Sequence, residues 1–185
     1  AGPSAIYVSH NLTLDASAAE GLRLARADYA PAMRLITVAP GAELHLINLT
    51  LANGLALGAP GQPGRGGALH LGSGASAWLD GVTFEANTAS GGAGADGQGG
   101  AIYNDDGHLS FDGDPSILAD NSAISGAGGA GRGGAIYNRN GSIGFYAGYN
   151  EPCTTFTGNL AGADKNLALI ADGTLLFADF DFTNV

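Results

Sequence analysis

Gly99-Gly100-Ala101-Ile102-Tyr103-Asn104 recurs letter for letter as Gly133-Gly134-Ala135-Ile136-Tyr137-Asn138, and one repeat earlier it stands as Gly66-Gly67-Ala68-Leu69-His70-Leu71. Each copy follows a glycine-rich stretch and leads, past a turn glycine, into alternating apolar and polar residues. Working outward, the pairs Pro40-Gly41, Ser73-Gly74, Asp106-Gly107, Asn140-Gly141 and Asp172-Gly173 place turn glycines at steps of 33, 33, 34 and 32 residues. A fixed period of this size marks a solenoid. After each turn comes a period-two pair of core candidates: Leu44 and Leu46, Ala77 and Leu79, Leu109 and Phe111, Ile143 and Phe145, Leu175 and Phe177. Period two is strand, not helix.

A third apolar segment closes each coil at Leu51, Phe84, Leu118, Phe156 and Phe180–Phe182, and an asparagine follows by three positions in Asn87, Asn121 and Asn159. Asparagine tolerates left-handed turns, and its amide can stack on the equivalent amide one coil away. The predicted fold is all-β, a single-stranded right-handed parallel β-helix of about five to six coils, with coils stacked at about 4.8 Å. Residues 1–185 form one domain, with an irregular N-terminal coil over 1–32 and repeats over 33–185. Ser17-Ala18-Ala19-Glu20 matches a capping box for a short helix, against which stands a strand at Leu22-Arg23-Leu24, because Gly21 opposes helix propagation. The stretches 90–98 and 125–132, almost pure Gly, Ala and Ser, read as loops protruding from one corner, and 147–155 as an insertion.

Composition narrows function. With 45% hydrophobic residues the chain folds, and with a net charge of −10 and scattered arginines it lacks the basic stripe that nucleic acid or anionic membrane requires. Cys153 is the only cysteine, so there is no internal disulfide and no cysteine metal site. No apolar run approaches membrane-spanning length. The start, Ala1-Gly2-Pro3-Ser4, has no charged or apolar signal region, so an exported form has already lost its leader.

Two motifs in phase carry a resemblance. Gly99, Gly100, Ala101 and Ile102 with Gly133, Gly134, Ala135 and Ile136, together with Phe84…Asn87 and Phe156…Asn159 and the degenerate copy ending at Asn121, resemble the GGAI and FxxN repeats of the polymorphic outer-membrane proteins and of related autotransporter-like β-helix passengers. The resemblance covers roughly residues 11–185. It implies export, display at a cell surface, and an adhesive or structural role without catalysis, the motif residues themselves building the coils.

Asp105-Asp106-Gly107-His108, with Asp112 and Asp114, is the densest acidic group, but a polysaccharide lyase or hydrolase also needs a cation for an acidic sugar, and none stands in that repeat before Arg132. A cation and an acid meeting on one strand face would favour such an enzyme. Residues 91–99 approach a calcium-binding nonapeptide, yet Gln98 holds its apolar position. The GxGxxG strings at 92–97 and 126–131 lead into strands, which excludes dinucleotide binding. His10, His45, His70 and His108 fall at different repeat phases, so no metal cluster and no cofactor is predicted. Tyr103 and Tyr137 are in phase and read either as a cross-coil ladder or as a grip for a glycan. Strand-like sequence reaches both ends, through Ile6, Tyr7 and Val8 and through Phe180, Phe182 and Val185. Unpaired strand edges there predict end-to-end stacking of identical subunits, or a piece of a longer passenger. The partners expected are therefore other copies of the chain and a host or glycan surface.

Overall fold

The computed structural model describes residues 3–19, 21–146 and 154–162, and the backbone of two further strands, Leu167–Ile170 and Thr174–Ala178. Among the described residues 24 strands, all parallel, form five ladders. The first runs through Ser4–Val8, Arg34–Val38, Leu69–Leu71, Ile102–Asp105, Ile136–Arg139 and Leu167–Ile170. The second runs through Leu12–Asp15, Glu43–Ile47, Ser76–Asp80, His108–Phe111, Ser142–Tyr146 and Thr174–Ala178. Five strands make the third ladder, Arg23–Ala25, Thr50–Ala52, Thr83–Glu85, Ile117–Ala119 and Thr155–Thr157. The chain is a β-solenoid. Four coils contribute to each of the first four ladders, so about four turns are complete among the described residues, with partial rungs on either side, against the five to six predicted.

The period-two reading places the core correctly. Leu44, Leu46, Ala77, Leu79, Leu109 and Ile143 are inaccessible to solvent, with Phe111 and Phe145 nearly so, and the last two rings stack at 4.9 Å. Ile36, Leu69, Ile102 and Ile136 in the first ladder and Leu51, Phe84 and Leu118 in the third close the same core. Leu175 and Phe177 pair in register with Ile143 and Phe145 through the backbone. Phe180, Phe182 and Val185 lie outside the described residues.

One expectation is corrected, and one pair of alternatives is decided for the strand. Residues 90–98 and 125–132 do not protrude as loops: they carry a fourth ladder (Leu55–Leu57, Thr88–Ser90, Ser122–Ile124, Leu160–Ala161) and a fifth (Gly64–Arg65, Gly97–Gln98, Gly131–Arg132). The turns between them stack as well, Gly61 N–H donating to Ala93 O and Gly94 N–H to Ala127 O, both at 2.8 Å. The missing side chains are the cause, because they let backbone pack on backbone: a Cβ at Gly97 would lie 2.3 Å from Ile124 O. No helix forms around residue 19 either. Asp15 instead accepts the Ser17 N–H at 2.8 Å in a turn, and Arg23–Ala25, one residue beyond the predicted strand, joins the third ladder. The N-terminal stretch is thus a first rung of three short strands.

The repeat glycines divide their work. At the corner between the first and second ladders the left-handed seat is held by Gly41, Gly74, Asp106 and Asn140, one residue before the glycine in the last two coils. Two asparagine ladders seal corners, one after the third ladder and one at this same corner. Asn87, Asn121 and Asn159 are buried, each amide bonding the next at 3.0 Å, and Asn104 donates to Asn138 at 2.7 Å.

Candidate functional site

The core-facing residues of the first ladder leave an outward row, and register defines it: Tyr7, Thr37, His70, Tyr103, Tyr137. In a strand, alternate residues face opposite sides, so Ile36, Ile102 and Ile136 go to the core and their neighbours go out. Here the outer side is covered. Tyr103 is 0% and Tyr137 4% exposed, and the two form an aromatic cluster separate from the main core. Their rings stack at 5.4 Å and 6°, and His70 closes on the other side of Tyr103 at 5.3 Å. Both faces of Tyr103 are therefore in use by its own ladder, so the cross-coil reading holds and stacking of a sugar on that ring does not.

The cover comes from the fifth ladder. The residue immediately before each hexapeptide, Arg65, Gln98 and Arg132, forms a second row in register beside the first. Arg132 lies beside Tyr137 and bears on its hydroxyl. One rung earlier the pattern shifts: Arg65 donates from Nε to Gln98 at 3.1 Å and sets its guanidinium 5.0 Å over the Tyr103 ring. Gln98 is thereby taken, and Arg65 has turned away from its own rung-mate His70. Two buried polar atoms are left without a partner, His70 Nε2 and the Tyr103 hydroxyl. Unsatisfied buried groups are uncommon in folded chains and call for an explanation at each place they occur.

Arg34 stands one rung further back and is 2% exposed. It donates to Gly66 O at 2.7 Å, to Arg65 O, and to Thr37 Oγ1 at 3.0 Å, filling the position where the fifth ladder has no earlier strand. Arg139 pairs with the register-matched Asp105, its Nε at 2.7 Å. Four of the six arginines, Arg34, Arg65, Arg132 and Arg139, thus surround one aromatic row on a chain of net charge −10. The field is felt. Burial, then Arg34 and Arg65, push the His70 imidazole down to about 3, and burial pushes Tyr103 and Tyr137 up. Burial and Arg65 lower Arg34 to about 10.

The sequence-stated acidic cluster does not assemble as an acid–base pair. Asp105 serves Arg139, Asp106 accepts from Ser73 Oγ at 2.8 Å, and His108 bonds Ser142 at 2.7 Å. Asp106, His108, Ser76 and Ser142 border a shallow depression of about 310 Å³. Asp96 of the nonapeptide accepts the Ala130 N–H at 2.8 Å, and no group of three metal-ligating side chains occurs among the described residues. The repeat-motif residues build coils: Gly66, Gly99 and Gly133 hold left-handed turns, Ala101, Ile102, Ala135 and Ile136 are buried, and Phe84 and Asn87 lie in the third wall. Asn121 and Asn159 continue that wall, with Phe156 packed on the core. Ile6, Tyr7 and Val8 lie in the first rung, Val8 buried and Tyr7 64% exposed.

Two things escaped the sequence reading. His70 is in phase with the tyrosines, and His45 is in phase with Trp78, stacked at 4.5 Å on the outer face of the second ladder. The signal for the arginine row was visible as Arg-Gly-Gly-Ala at 65–68 and 132–135, with Gln in the copy between. Comparison with protein-family profiles, curated proteins and solved structures gives no match.

Proposed function

We propose that the chain is a non-enzymatic β-helix module of the cell surface or extracellular space, and that it adheres to glycans through the arginine–aromatic strip of the first ladder. One observation carries this reading: an acidic chain gathers four of its six arginines beside His70, Tyr103 and Tyr137 on one rigid face. Charge concentrated against the sign of the whole molecule is how a surface draws in an oppositely charged ligand. The resemblance of the GGAI and FxxN repeats to surface passengers supports export.

A second reading, a carbohydrate-active enzyme, is favoured by Asp105 and Arg139 meeting beside Tyr103 on the same strand face. Adhesion fits better. A general acid or base works best when its pKa lies near the working pH. His70 is neutral down to about 3, and Tyr103 is displaced upward by burial, so neither is poised to exchange a proton at neutral pH.

The test is calorimetric titration with a panel of neutral and acidic oligosaccharides, with parallel assay of reducing ends and unsaturated products. Binding without turnover is expected. Turnover would transfer the strip to the enzyme reading, and no binding across the panel would remove both.

A further inference from the structure

Resting on the glycan reading, we infer that the strip receives a carboxylate of an acidic sugar at one defined place, between His70 and the Tyr103 hydroxyl, with Arg65 as the arm that closes on it. The two unpartnered atoms sit on adjacent rungs of one row, and both are enclosed by protein. The phenol O–H can donate, and so can the imidazole when its proton sits on Nε2, so one acceptor placed between them would satisfy both. Among the described residues no carboxylate pairs with Arg34 or Arg65, since the two ion pairs are Arg23–Glu85 and Arg139–Asp105. An anionic acceptor there would also meet the unpaired charge of Arg34 and Arg65.

Arg65 is the movable part. Its anchors are one bond to Gln98 and the face of Tyr103, and it is partly exposed, whereas Arg34 is buried and fixed by backbone carbonyls. Swinging back to its own rung brings the Arg65 guanidinium to His70. One bond from the phenol, one from the imidazole and two from the guanidinium fork match the roughly four lone-pair sites of a carboxylate, and guanidinium–carboxylate pairing is strongest when bidentate. Arg34 adds a fixed positive charge behind the site. Arg132, beside Tyr137, extends the basic edge along the solenoid axis, the direction in which an extended polyuronate would lie.

The experiment uses oligogalacturonides and alginate oligosaccharides, each as the free acid and as the methyl ester, so that backbone and ring faces stay constant while the charge is removed. Calorimetry is run on the intact chain and on Tyr103→Phe and Arg65→Gln. Tyr103→Phe deletes an atom that has no partner within the protein, so it leaves the melting temperature unchanged or raises it. That makes any loss of binding readable as loss of a ligand contact. The free acid of at least one backbone is expected to bind at least tenfold tighter than its ester, and each variant to lose about tenfold for the acid only. Equal binding of acid and ester, or unchanged affinity in Tyr103→Phe, overturns the carboxylate site while leaving glycan adhesion standing. Displacement of the bound acid by equimolar inorganic sulfate or acetate overturns it in favour of a free-anion receptor. Absence of binding by every acid and ester overturns the adhesive reading together with it.

Discussion

Asn121→Ala removes the centre of the buried amide ladder, and the structure gives the size of the effect. The Asn121 carboxamide takes part in four hydrogen bonds, each at 3.0 Å: its Oδ1 accepts from the Asn87 N–H and from Asn87 Nδ2, and its Nδ2 donates to Phe84 O and to Asn159 Oδ1. At about 1 kcal/mol net for each, the deletion costs about 4 kcal/mol. The Asn87 N–H, whose acceptor is Asn121, is left as a buried orphan, which carries the loss toward roughly 6 kcal/mol. Asn87→Ala deletes three such bonds, to Leu51 O, to Asn121 Oδ1 and from Gly54 N–H, about 3 kcal/mol, and orphans the buried Gly54 N–H, which carries its loss toward roughly 5 kcal/mol on the same scale. Urea unfolding followed by far-ultraviolet circular dichroism measures both, with the slope checking that the surface exposed on unfolding is unchanged. A loss below about 1 kcal/mol for Asn121→Ala, or a larger loss for Asn87→Ala, would refute the claim that the ladder holds the third wall.

His70 gives the chain an acid limit. Its folded value of about 3 lies below the ordinary 6.5, so as pH falls from 6.5 the unfolded chain takes up a proton that the folded chain refuses. Stability is therefore intact above pH 6.5 and is lost progressively toward pH 3, by at most roughly 4–5 kcal/mol at 1.36 kcal/mol per unit. In His70→Gln the difference in urea midpoint between pH 7 and pH 4 shrinks relative to the parent chain, and equal differences in the two would contradict this. Gly100→Ala places a Cβ 2.0 Å from Gly134 O and 2.5 Å from Ser122 N, both backbone, so the variant fails to give a cooperative thermal transition. Gly94→Ala meets no atom within 4 Å and bears only the strain of φ +76°, about 1–2 kcal/mol, visible as a few degrees in melting temperature.

The fold was legible because its determinants repeat. Leu44, Ala77, Leu109 and Ile143 occupy one register position, and the apolar residue two places after each makes the alternation of a strand facing inward. The fourth and fifth ladders were not legible from periodicity, since Gly64, Gly97 and Gly131 have no side chain to alternate and are placed by backbone contact with Ala56, Ala89 and Ala123. Their neighbours hid the site for the same reason. Once 90–98 and 125–132 are taken as loops, Arg65, Gln98 and Arg132 have no defined direction, whereas as strands in register they form a row along the outer face of the first ladder.

Repetition and its interruption mark two kinds of position in this solenoid. Where successive coils carry the same residue, as in Asn87, Asn121 and Asn159 or in Gly67, Gly100 and Gly134, each side chain or its absence is matched by the copy above and below, and every polar group finds its partner one rung away. The rows Thr37–His70–Tyr103–Tyr137 and Arg65–Gln98–Arg132 break that rule together. Had Arg65 and Arg132 been joined by a third arginine at position 98, each would face its own ring, as Arg132 faces Tyr137, and Tyr103 would have its partner. Gln98 instead draws Arg65 across one rung, and the orphaned His70 Nε2 and Tyr103 hydroxyl follow from that one departure. Gln98→Arg therefore tests the logic of the strip directly: restoring the repeat places a guanidinium donor on the Tyr103 phenol oxygen from within the protein and frees Arg65 from its bond to residue 98. The variant keeps or gains thermal stability while its affinity for acidic oligosaccharides falls, despite the added positive charge. An affinity that rises with the added charge would mean that the strip attracts by electrostatics alone and that the register of its donors is irrelevant.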